Sequence, residues 1–267
     1  MRTALEELFV KVRSENRAAL IAYLPAGFPT LQKCKNAIAA LAAAGVDAVE
    51  IGFPYSDPVM DGPTIQEAAD ISLKGGTGAL EVLETLKFAH DAGLPAVVMT
   101  YWNPIERYGV DAFAEAIAEN GGSGVITPDL TIEESSQWKS ATSAVGINRI
   151  YVLAPSSTTD RIALVSAECS GFIYAASLMG VTGARNTMST DAQSLVSRIR
   201  ASSNLPIAVG LGVSTREQAR TVAGFADGVI VGSAFIRGLL DAGSDEEGLA
   251  TIGLLAKELS AGVREGR

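Results

Sequence analysis

The stretch Pro206-Ile207-Ala208-Val209-Gly210-Leu211-Gly212 is a short apolar run that closes on glycines. A strand with one wet face alternates apolar and polar residues. A run that is apolar at every position belongs to a strand buried on both faces, as in a parallel sheet. The pattern returns at Val97-Val98-Met99 and at Val229-Ile230-Val231. Ala- and Leu-rich stretches of helical character separate such runs; Ala37 to Ala44, ended by Gly45, is one of them. Working outward, strands start near Ala19, Val46–Asp47, Pro95, Ser123, Asn148, Gly171, Pro206 and Gly228. Eight strands in strict alternation with helices predict an α/β fold: one (β/α)8 TIM barrel domain over residues 1–267. The alternative is an open doubly wound sheet, but no G-x-G-x-x-G follows the first strand.

Unit lengths add detail. With the second start at Asp47, the second unit spans 48 residues and the sixth 35, against 22 to 28 for the others. Extra length there implies long loops or additional helices on the face where barrels carry their active sites. The loop after strand 2 reads Gly52-Phe53-Pro54-Tyr55-Ser56-Asp57-Pro58-Val59-Met60-Asp61-Gly62-Pro63. The loop after strand 6 reads Ser177-Leu178-Met179-Gly180-Val181-Thr182-Gly183-Ala184-Arg185-Asn186. Lys257 to Arg267 reads as a last helix and a frayed tail.

Composition excludes several functions. A net charge of −9 argues against nucleic acid and anionic membranes as partners. Any phosphate group must therefore be held locally. Met1 to Ser14 has no apolar signal core, and no run reaches the roughly 18 apolar residues of a membrane span. Cys34 and Cys169 stand apart from any C-x-x-C pair and read as reduced thiols of a cytoplasmic protein. His90, the only histidine, falls near the end of a helix over Ala79 to Asp91, so no catalytic triad or histidine metal site can be built. Lys11, Lys33, Lys35, Lys74, Lys87, Lys139 and Lys257 all miss the strand ends where a Schiff-base lysine would stand. No metal site is expected.

Carboxylates remain. Glu50 lies in Ala48-Val49-Glu50-Ile51-Gly52, where burial raises its pKa and makes it a proton donor near neutral pH. The competing reading pairs it with a cation on a neighbouring strand. Asp61, in the loop, is expected to be more solvated and ionised, or else to cap the helix that starts at Pro63. Tyr174 reads as a barrel-filling side chain with a bonded hydroxyl. Gly210, Gly212, Gly232 and a helix opening at Ser233 suit an anion, and Gly180 and Gly183 suit a third wall.

The segment Glu50-Ile51-Gly52-x-Pro54-Tyr55-Ser56-Asp57-Pro58-x-x-Asp61-Gly62-Pro63-Thr64-Ile65-Gln66 strongly resembles the signature of the tryptophan synthase α subunit family. Gly180-Val181-Thr182-Gly183, Gly210-Leu211-Gly212 and Gly232-Ser233-Ala234 match its later loops in order, so the resemblance covers essentially the whole chain. It implies retro-aldol cleavage of indole-3-glycerol phosphate to indole and glyceraldehyde 3-phosphate. It implies that Glu50 transfers protons and that Asp61 holds the indole N–H. It assigns Tyr174, Tyr23, Tyr101 and Thr182 to substrate binding, and Gly183, Gly212, Gly232 and Ser233 to the phosphate. No cofactor is implied on this chain; pyridoxal phosphate belongs to a β subunit, in an α2β2 complex, docked against Asp57, Pro58, Asn103 and Pro104. Two positions depart from the common pattern: Leu178-Met179 replaces an arginine-bearing segment, and Gly27-Phe28-Pro29 replaces Gly-Asp-Pro. A sugar-phosphate isomerase and a non-catalytic regulatory subunit are the alternatives.

Overall fold

The structure, a computed structural model, describes residues 2–176, 185–210 and 212–267, with the side chains of 185–189 left aside. Strands β1 (Ala19–Pro25), β2 (Ala48–Gly52), β3 (Ala96–Met99), β4 (Gly124–Ile126) and β5 (Asn148–Ile150) come first. Then follow β6 (Val152–Leu153), β7 (Ile173–Ala176), β8 (Ile207–Gly210) and β9 (Gly228–Val231). All are parallel, in the order β5-β4-β3-β2-β1-β9-β8-β7-β6. The two outer segments, β5 and β6, are separated only by Tyr151. The Ile150 carbonyl accepts from Thr127 beside β4, and the Tyr151 carbonyl accepts from Tyr174 on β7. One interrupted strand thus joins both edges and closes the barrel. The eight expected strands become nine segments because the fifth breaks at Tyr151.

Register and pleat sort the side chains. Ala19, Ile21, Ala48, Val97, Ile126, Ile150, Phe172, Ala208 and Ile230 fill the interior. Alternate residues such as Leu20, Val49, Val98, Val125, Ile173, Val209 and Val229 face the helices in the larger core. Both faces are dry, so the strand runs are apolar throughout. The barrel floor is closed by α1 (Ala4–Ser14). Its Leu5, Leu8, Phe9 and Val12 share one helical face and join the interior cluster. Each contributes roughly 2 kcal/mol of burial. Thr3 caps α1 in a capping box with Glu6. The Thr3 hydroxyl donates to Asn148 Oδ1 at 2.6 Å, and Asn148 Nδ2 donates to Glu6 Oε1 at 3.0 Å, fixing the plug to β5.

The long second unit holds both a loop, residues 53–62, and an additional helix, α3 (Pro63–Lys74), before α4 (Ala79–Asp91). The long sixth unit ends in α9 (Arg185–Arg200). Its loop calls, Gly180, Thr182, Gly183 and Leu178-Met179 among them, lie outside the described residues. After β9 the short α11 (Ser233–Leu240) precedes α12 (Asp245–Glu265). The chain end is not frayed. Arg267 donates to the carbonyls of Ala223 and Ala226 and to Asp227. Phe28, where the common pattern has a charge, is fully buried in the outer core.

Candidate active site

Every described residue expected to act lies at the C-terminal end of the barrel. Glu50 is the third residue of β2, in register with Tyr23 of β1 and Val97 of β3. Its side chain therefore points inward like Ile21 and Ala48. It is 1% exposed, and Oε2 has no hydrogen-bond partner. Among the described residues no cation pairs with it, so the salt-bridge reading fails. Burial, and then the Asp61 charge, push its pKa from 4.5 to about 8. It keeps its proton at neutral pH.

Asp61 differs from expectation. It is half-buried, and burial pushes its carboxyl from 3.8 to about 6 against a downward pull from the Tyr101 hydrogen bond. It is less solvated than its loop position suggests, though still ionised above about pH 6. It does not cap α3: the N-cap is Gly62, without a side-chain cap bond. Its carbonyl accepts from Gln66 Nε2 at 2.8 Å, which ties the loop to α3 instead. Thr64, two residues past that N-cap, accepts from Arg237 of α11 at 2.9 Å.

Three tyrosines ring the two acids. Glycines across the mouth make room for two of them. A Cβ at Gly52 would lie 2.3 Å from the Tyr23 hydroxyl, and one at Gly232 would lie 3.0 Å from the same ring. A Cβ at Gly210 would lie 2.6 Å from the Tyr174 hydroxyl. Tyr174 packs beside the interior cluster, and no hydrogen bond to its hydroxyl is made by the described residues. Burial first, then the charges of Asp61 and Glu50, raise both phenols well above the ordinary 10.0. Tyr101 is buried at the start of α5 (Trp102–Tyr108), with its hydroxyl 3.3 Å from Asp61 Oδ2. Tyr55, which the spacing does not single out as part of the site, stacks on Tyr101 with centroids 5.1 Å apart.

The anion-suited segments also meet the mouth. Gly232 is the N-cap of α11 and Ser233 its first residue, so the helix's free first-turn amides open here. Gly212 follows β8 with φ 61°, a left-handed turn that favours glycine. Asp57, Val59 and Met60 are exposed at the loop tip and Pro58 is half-buried; Val59 is 81% exposed. Exposed Asn103 and half-buried Pro104 open α5, which the Tyr55–Tyr101 stack holds beside that loop.

His90 is exposed on the last turn of α4 against Gly121, and every lysine is on a helix. No group of three or more His, Cys, Asp or Glu could hold a metal among the described residues. Cys34 and Cys169 are free and buried, and burial pushes them to about 11 and about 12. No described helix is long and apolar enough to cross a membrane.

Known proteins of one family resemble the chain over almost its whole length. A family model described as tryptophan synthase alpha chain matches residues 9–264. The tryptophan synthase alpha chain of Streptomyces avermitilis is 52% identical over 263 residues, covering 98% of this chain and 95% of the relative. That of Acidothermus cellulolyticus is 53% identical over 262 residues, covering 98% and 97%. A solved tryptophan synthase of Mycobacterium tuberculosis superposes with a TM-score of 0.91 at 47% identity, covering 99% of each chain. The alpha subunit of Legionella pneumophila superposes at 0.90 with 30% identity, covering 98% of this chain and 99% of that one.

Proposed function

The chain belongs to the tryptophan synthase alpha chain family, and on that premise we propose that Glu50 and Asp61 carry out its lyase half-reaction. The substrate is indole-3-glycerol phosphate; the products are indole and glyceraldehyde 3-phosphate. One observation carries the assignment: a fully buried, proton-bearing Glu50 with an unpartnered oxygen at the barrel mouth, beside an ionised Asp61.

Indole is a poor leaving group until its C3 is protonated. Glu50 donates that proton, and positive charge spreads to the ring nitrogen. Asp61 accepts the hydrogen bond of the ring N–H and stabilises the charge as it develops. The ionised Glu50 then takes the proton of the glycerol hydroxyl next to the breaking bond. The C–C electrons return to the ring, the hydroxyl carbon becomes the aldehyde, and Glu50 regains its proton. Nothing else is consumed. Tyr23, Tyr174 and Tyr101 supply aromatic walls for the ring. Gly212, Gly232, Ser233 and the start of α11 take the phosphate through backbone amides, as a chain of net charge −9 requires. Gly183 and Thr182 complete the phosphate and substrate contacts.

This chain needs no cofactor of its own for these steps. Its partner is a β subunit, which carries pyridoxal phosphate and joins it as α2β2 in the cytoplasm. The exposed apolar tip at Val59 and Met60, with Asp57, Pro58, Asn103 and Pro104, faces that partner. An indole assay on the purified chain, alone and with a β subunit, tests the reading. Indole release is expected to rise through about pH 6 as Asp61 ionises and to fall through about pH 8 as Glu50 loses its proton. No indole in either preparation overturns it.

A further inference from the structure

Tyr101 is more than a wall. Its hydroxyl accepts from the Met60 amide at 2.9 Å and stands 3.3 Å from Asp61 Oδ2. The amide can only donate, so the phenolic proton is left for the carboxylate. Tyr101 is 5% exposed, and its ring is stacked by Tyr55 at 5.1 Å and 30°. Tyr55, Met60 and Asp61 all belong to the loop after β2, whereas Tyr101 stands between β3 and α5. Three contacts therefore fasten one loop to one side chain outside it.

We propose that Tyr101 is a positioning residue that acts through Asp61: its hydroxyl occupies Oδ2, leaving Oδ1 for the ring N–H, while its ring clasps the loop. The inference rests on the reading of Asp61 given above. A pocket wall needs only the ring of Tyr101; positioning needs the hydroxyl. The two roles separate in Tyr101→Phe.

The groups facing Asp61 give the sign. They are Glu50 from β2, Tyr23 from β1, Tyr174 from β7 and Tyr101, near which Asp129 adds a further negative charge. Burial raises the Asp61 carboxyl, and the Tyr101 hydrogen bond pulls it down. Without the hydroxyl, Asp61 holds its proton to higher pH. The acid limb of the rate profile then moves up by about one pH unit.

The experiment follows indole release from the α–β complex over about pH 5 to 9 for wild type, Tyr101→Phe, Asp61→Asn and the double variant. Tyr101→Phe should lower kcat about tenfold with KM within about threefold, and should shift the acid limb upward. In the Asp61→Asn background it should add nothing. An unmoved acid limb, or losses that multiply in the double variant, overturns the inference. Tyr55→Leu removes the stack and keeps the hydroxyl. The clasp predicts a smaller loss there, and a rate equal to wild type counts against it even if Tyr101→Phe folds poorly. Failure of the Asp61 reading looks different, because Asp61→Asn would then turn over at the wild-type rate.

Discussion

Asp227 at the floor of the barrel and Glu50 at its mouth are both buried carboxyl groups, and their pKa values are displaced in opposite directions. Asp227 accepts from Arg200 at 2.7 Å, from Arg267 at 2.9 Å and from the Ile207 amide at 2.9 Å. Burial pulls its pKa up, but these partners outweigh burial and hold it below the ordinary 3.8. Asp47, also at the floor, accepts from Arg17 through both oxygens, at 2.7 and 2.8 Å. Glu50 has no cation, and burial dominates. The floor spends its charges on holding the strands together. The mouth leaves an acid unpaired, which costs stability and yields a proton that can be given away.

Activity should separate the two ends most strongly. Glu50→Gln removes the carboxylic acid that donates the proton and should cut indole release about 10²- to 10⁴-fold while substrate still binds. A rate near wild type would return Glu50 to a structural role.

Stability should separate them next, and in opposite senses. Between pH 4.5 and about 8, folded Glu50 keeps a proton that the unfolded chain releases, so stability falls as pH rises across that window. Relative to Glu50→Gln, wild type should lose about 3 kcal/mol between pH 4.5 and 7, read from urea unfolding at each pH. A constant gap between the two proteins would mean that Glu50 is not held neutral. Asp227→Ala should instead destabilise the chain by about 2 kcal/mol above the ordinary carboxyl range. Because the folded pKa of Asp227 is depressed, that deficit fades as pH falls through it. Activity per folded molecule should stay within about twofold. A larger activity loss would mean that floor and mouth are coupled.

The two ends also differ in how much of each is legible in the sequence. A charged residue inside an apolar strand run is visible without a structure, so Glu50 is found by inspection. The strand starts are legible for the same reason, since dry strands are apolar at every position. Asp61 is only half legible. Its chemistry is plain, but neither its burial nor its hydrogen bond to Tyr101, forty positions along the chain, can be seen in the sequence. Tyr55 is hidden in the same way, because stacking is not a sequence pattern. The break at Tyr151 leaves no mark in the hydrophobic run. At the floor, the mixed charges of Met1 to Ser14 obscure the face formed by Leu5, Leu8, Phe9 and Val12. The end at Arg267 looks loose until Asp227, 40 residues earlier, is placed beside it.

The central claim is that Glu50 rests as a neutral acid at the barrel mouth. The most direct measurement is a 13C NMR titration of its side-chain carboxyl, assigned by the signal missing in Glu50→Gln. The account predicts a carboxyl still protonated at pH 7 that titrates near pH 8. A Glu50 signal that titrates at its ordinary value near 4.5 would contradict it.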